Sequence, residues 1–132
     1  MKQPLKMGTV GEKRFVVTQQ HVIDFAHDGM PEILSTPWLV WFLEHAARNA
    51  VLPVLEPGES TVGVDIKVQH LAPTPVGEEV VCRARVYAVD KTQVSFQFEA
   101  FDEHEQIAKG THKLRIIKAG RLAKRVEAKK ER

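Results

Sequence analysis

Three residues in this 132-residue chain have side chains and spacing that could do chemistry: Thr36, Glu44 and His70. Glu44 interrupts Trp38-Leu39-Val40-Trp41-Phe42-Leu43, the most apolar helical stretch, at a point where another leucine would have fitted. A carboxylate there, facing a cleft beside Trp41, is suited to general-base work. The plainer alternative is an exposed i, i+4 pair with Arg48, worth a few tenths of a kcal/mol, because Pro37, Trp41, Glu44 and Arg48 share one helical face. Thr36 reads as the helix N-cap with Pro37 at the first helical position. The same helix start also presents free N–H groups and a partial positive charge, which suit a developing oxyanion.

His70 ends a run, Val62 to His70, whose even positions are apolar, so parity aims its imidazole at the same face. It is either a satisfied core histidine or an acid/base group. Gly63 has the opposite parity and either relieves crowding at a bulge or leaves bare backbone for a ligand to approach. Thr36 and Glu44 stand eight residues apart, about 12 Å along a helix. Their side chains cannot touch within one chain, so a reacting group lies between them or a second subunit completes the site. Other groupings are weaker. His21, Asp24, His27 and Asp28 only loosely suggest metal ligands, and no metal is expected. Asp102 to Glu105 read as a solvated hairpin turn.

The elements that must position these residues follow from periodicity. Lys13 to Thr18 reads as a short strand, and Thr18 caps a short helix through Ala26 that ends at His27-Asp28-Gly29. The main helix runs from Thr36 to about Val51, with Pro53 stopping it. Pro57-Gly58 turns the chain, and the period then changes from helical to two. Four strands follow: Val62–His70, about Glu79–Val89, Gln93–Phe101 and Ile107–Ile117. Cys82, Ala84, Val86, Ala88, Phe96, Phe98, Ala100, Ala108, Gly110, Leu114 and Ile116 face inward. One long apolar helix and an antiparallel sheet with one apolar face predict an α+β hotdog fold, a curved sheet wrapped around a central helix. The helix is apolar on more sides than one small sheet covers, which predicts a partner subunit.

Bulk properties agree with a single cytoplasmic domain over residues 1–117 followed by a basic tail, 118–132. The start of the chain lacks the apolar core of a signal peptide, and no apolar run reaches the roughly 18 to 20 residues a membrane span needs. The lone Cys82 excludes an internal disulfide. The net charge of +2 combines +5 in the tail with a body near −3. Without interleaved aromatics the tail reads as a solvated, frayed terminus rather than a nucleic-acid site. No GxSxG, Walker or dinucleotide motif is present.

Several motifs converge on one family: Pro-Glu-Ile-Leu-Ser-Thr at 31–36, Glu44 eight residues on, Leu-Glu-Pro-Gly-Glu at 55–59, Gly63, His70, Ala-Pro-Thr-Pro-Val-Gly at 72–77 and Gly110-Thr111-His112. Together they resemble the fluoroacetyl-CoA thioesterase-like branch of the hotdog thioesterases. The resemblance implies hydrolysis of a short-chain or small acyl-CoA thioester, with CoA part of the substrate and no separate cofactor. It further implies a homodimer, with tetramers left open, and sites at the subunit interface. Thr36, Glu44 and His70 become the catalytic group; Gly63, Trp41 and Met30 become substrate-binding residues. Fluoroacetyl-specific members carry an aromatic lid before the helix, where this chain has Phe25-Ala26-His27-Asp28-Gly29-Met30. An arginine usual after the Gly-Thr-His triplet is replaced by Leu114, with Arg115 following. Two readings on the same fold compete: a non-catalytic acyl-CoA binding module, and an enoyl-CoA hydratase whose Asp–His motif Asp24 and His27 loosely match.

Overall fold

The structure is a computed structural model that describes residues 1–25 and 28–131. His27, named above as a metal, lid and hydratase candidate, lies outside the described residues. Five strands form one antiparallel sheet: β1 (Val10–Val16), β2 (Glu59–His70), β3 (Glu79–Asp90), β4 (Gln93–Phe101) and β5 (Gln106–Lys118), in the order β1-β3-β4-β5-β2. Helix α1 (Thr36–Val51) lies in the concavity of this curved sheet, as expected for the hotdog fold. Its buried stripe is Leu39, Phe42, Leu43, Ala46, Ala47, Ala50 and Val51, the spacing of an amphipathic helix. The sheet answers with Val80, Cys82, Ala84, Val86, Phe96, Phe98 and Ala100.

Small residues set how closely the layers approach. Gly11 on β1 runs so near α1 that a Cβ would collide with the carbonyl of Ala46. Any side chain there would push strand and helix apart. Burial drives the Cys82 thiol up to about 12, so it stays protonated and inert. The inward set is as expected except at Ala88, which follows a register shift after Val86, and at Gly110; both are only half-buried.

Four local expectations are corrected. The segment after Thr18 makes only a single 3-10 turn, Gln19–His21, and then extends so that Val22 bridges Leu34. Extended pairing there satisfies backbone groups that a helix would have had to cap. Ser35, not Thr36, is the N-cap of α1, its Oγ accepting from the Trp38 N–H at 3.4 Å, so Pro37 stands at the second helical position. On β2 the even-parity Val64 and Ile66 are 46% and 39% exposed, because β2 is an edge strand whose register against β5 shifts between Gly63 and Asp65. The tail after Lys118 forms α2 (Ala119–Lys130), an exposed helix whose Leu122 and Val126 lean towards Thr61, Val62 and Ile117. Its run of Ala, Leu, Lys and Arg consists of good helix formers. No described helix is long and apolar enough to cross a membrane.

Candidate active site

Two polar clusters flank β2. The first is at the start of α1. With Ser35 acting as the cap, the Thr36 hydroxyl is released from that duty and lies 2.8 Å from His70 Nδ1. His70 stands at the end of β2, and its Nε2 is buried with no hydrogen-bond partner among the described residues. Burial lowers the His70 pKa below the ordinary histidine value, partly opposed by the nearby backbone of Ala72. A groove of about 490 Å³ opens beside Thr36, lined by Val22, Ile23, Phe25, Pro37 and Trp38. Its apolar walls and few polar groups suit a small acyl ligand.

The second cluster lies two turns further along α1. Glu44 is half-buried, and no ion pair joins it to Arg48 among the described residues. Its carboxylate instead lies over Gly63: Oε2 would be 3.3 Å from a Cβ at that position, and Cε1 of His112 would be 3.6 Å from it. The register of β2 against β5 shifts between Gly63 and Asp65. Such a bulge re-aims the backbone, and here the Asp65 carbonyl accepts from His112 Nδ1 at 3.0 Å. Glu44, Gly63, Val64, Asp65, Ile66 and His112 line a groove of about 420 Å³.

The remaining sequence candidates are placed as follows. Trp41 is exposed and stacks on His45 at 3.8 Å, whereas Trp38 is the tryptophan that lines the Thr36 groove. Met30 is exposed in the loop before α1. His21 is buried, edge-on to Phe15, Trp38 and Phe42, and its Nδ1 accepts from the Thr18 N–H. That engagement is structural rather than metal-binding. Asp102 organises its hairpin, accepting from Thr74 Oγ1 and from the N–H groups of His104 and Glu105. Leu114 is part of the core, so it makes no charged contact. His112, buried at 3% exposure, was not among the candidates. Its parity with Ala108, Gly110, Leu114 and Ile116 was the signal that could have found it.

Within one chain the clusters stay apart. Gly63 and His70 are seven residues apart on one strand, about 23 Å at the usual rise. The hydrogen-bonded Thr–His pair and the carboxylate are therefore two separate clusters within the chain, at different points along β2.

Comparison with known proteins gives these clusters a context. A family model described as fluoroacetyl-CoA-specific thioesterase matches residues 17–120. The fluoroacetyl-CoA thioesterase of Streptantibioticus cattleyicolor is 32% identical over 137 residues, covering 98% of this chain and 97% of that one. A solved structure of the fluoroacetyl-CoA thioesterase FlK superposes with a TM-score of 0.88 at 28% identity, covering 96% and 98% of the two chains. A mutant of the same enzyme with fluoroacetate and CoA superposes at 0.82 and 29% identity, covering 89% and 98%. A Thermus thermophilus thioesterase superfamily member reaches 0.89 at 28% identity over 98% and 96%.

Proposed function

Since the chain belongs to the fluoroacetyl-CoA-specific thioesterase family, and is thereby an acyl-CoA thioesterase, we propose that it hydrolyses a small acyl-CoA at a site shared by two copies. The observation that carries this reading is the separation of the Thr36–His70 pair, 2.8 Å apart, from the Glu44 carboxylate over Gly63. Antiparallel pairing of two β2 edges, centred between Ile66 and Lys67, would set Gly63 of one copy against His70 of the other. The same pairing would cover the exposed Val64 and Ile66 and satisfy an otherwise open strand edge. Each dimer would then hold two equivalent sites.

The chemistry follows from what each group can do. The thioester carbonyl lies by the start of α1, where backbone N–H groups and the helix dipole stabilise the oxyanion. Glu44 takes a proton from water as its oxygen bonds to the carbonyl carbon. The carbon–sulfur bond then breaks, and the departing thiolate needs a proton. With the Thr36 hydroxyl donating to His70 Nδ1, the ring proton sits on Nε2, the buried nitrogen without a partner among the described residues, and that N–H hydrogen-bonds the departing sulfur. The proton that Glu44 took from water passes to the thiolate, which restores the carboxylate and closes the cycle. Trp38 and the apolar groove favour a small or flat acyl group.

Free-thiol release from a panel of short and aromatic acyl-CoAs tests the reading. Wild type turns over at least one of them, and Glu44→Ala, still folded, falls by about a hundredfold or more, the scale of a lost general base. Rates that are equal and small in the two proteins would return Glu44 to a surface role and leave an acyl-CoA binding module or an enzyme of another kind.

A further inference from the structure

We propose that His112 is a further catalytic residue, its Nε2 holding the hydrolytic water jointly with the Glu44 carboxylate in the space above Gly63. The inference rests on the reading of Glu44 as the base.

The argument starts from hydrogen-bond polarity. A carbonyl oxygen only accepts, so the 3.0 Å contact with the Asp65 carbonyl puts the ring proton of His112 on Nδ1. Burial lowers the His112 pKa below its ordinary value, against the Asp65 carbonyl and the carboxylates of Glu44 and Asp65, which act to raise it. The ring is therefore neutral near pH 7, and Nε2 is a bare lone pair. The charged groups bearing on it are Glu44 from α1 and Asp65 from β2; β4 contributes only the rings of Phe96 and Phe98. Phe98 stacks on the imidazole at 5.1 Å and 16°, which fixes its plane.

Glu44, as a carboxylate, is also an acceptor only. Its Oε2 and His112 Cε1 lie 3.3 and 3.6 Å from the point where a Gly63 side chain would begin, and both residues line the same groove. Nε2 is bonded to Cε1 and so borders the same groove, and two acceptors beside one small space repel each other unless a double donor lies between them. Water is that donor: one O–H goes to the carboxylate and one to Nε2, which leaves a lone pair for the thioester carbon. Glycine at position 63 keeps the space open. In the reaction the proton on the Glu44 side moves to the carboxylate. The other stays on the oxygen that bonds to carbon, and His112 neither gains nor loses a proton.

The experiment compares His112→Phe, Glu44→Gln and the double variant by thiol release. Phenylalanine keeps the stacking on Phe98 and removes both nitrogens. His112→Phe is expected to lower kcat about 10- to 100-fold with KM little changed. The double variant is expected to be no slower than Glu44→Gln alone, because groups holding one water are not independent. A wild-type rate in His112→Phe, or losses that multiply, overturns the proposal and leaves Glu44 as base. A wild-type rate in Glu44→Gln overturns the base reading itself. A second readout needs no activity and no His112 variant: nitrogen-detected NMR titration of His112. Its pKa is expected to fall when Glu44→Gln removes the facing charge, and an unchanged titration overturns the proposal.

Discussion

The two polar clusters beside β2 are built in opposite ways. At Thr36–His70 a direct 2.8 Å hydrogen bond joins a helix start to a strand end, so that pair is complete within one chain. At Glu44–Gly63–His112 a carboxylate oxygen and the Cε1 edge of an imidazole border an empty backbone position, and the cluster is defined by the space it keeps. The first arrangement suits a proton donor whose tautomer must be fixed. The second suits a base that must grip something absent from the chain. In the proposed mechanism both act on one thioester, and neither cluster can reach the other along one β2 strand.

The sharpest way to break the comparison is to put each lesion in a different chain. Glu44→Ala and His70→Ala homodimers should each be nearly inactive, since every site in them lacks one half. Mixed and allowed to exchange, half the dimers become hybrids, and one of the two sites in each hybrid is intact. Activity should then rise from near zero to about a quarter of wild type, the statistical expectation for two symmetric shared sites. No recovery after verified exchange would place the whole reaction within one chain.

A graded test addresses the first cluster alone. Thr36→Val removes the hydroxyl that orients His70 and should slow turnover by about 10- to 100-fold. Thr36→Ser retains it and should stay within a few-fold of wild type. If valine and serine behave alike, the 2.8 Å contact orients nothing. Neither change should cost the N-cap, which belongs to Ser35, so equal melting temperatures are the control.

The same contrast shows what sequence could and could not reveal. Alternation on β4 placed Phe96, Phe98 and Ala100 correctly inside, because a central strand has α1 over one face. The identical alternation on β2 left Val64 and Ile66 exposed. Parity assigns a residue to a face, but only the tertiary neighbours decide whether that face is covered. Thr36 and His70 stood out in the sequence by residue type and spacing, and the structure places them 2.8 Å apart. Their geometry was not legible, because Ser35 and Thr36 are both good caps and only the backbone decides between them. His112 escaped because a histidine amid core positions reads as a polar interruption, although its parity matched theirs. The α2 helix escaped because its basic charge suggested fraying, while its helix propensity pointed the other way.

The smallest expected effect is on stability, and its sign follows from the two histidines. Both His70 and His112 have pKa values lowered mainly by burial, so the folded chain binds their protons less readily than the unfolded chain does. Between the lowered values and the ordinary 6.5, the unfolded state carries more protons, and stability rises with pH there. Stability is therefore fully retained above about pH 7, near the ordinary histidine range, and lost as pH falls through that window, levelling off below the folded values. Glu44 and Asp65 bear on His112 and oppose its shift, so Glu44→Gln should steepen the acid loss. His112→Phe should flatten it. Melting temperature measured from pH 5 to 8 on the three proteins gives the order of slopes: Glu44→Gln steepest, wild type between, His112→Phe shallowest. A reversed order would mean that the carboxylate does not face the imidazole, and the contrast between a paired cluster and an open one would fail at its open end.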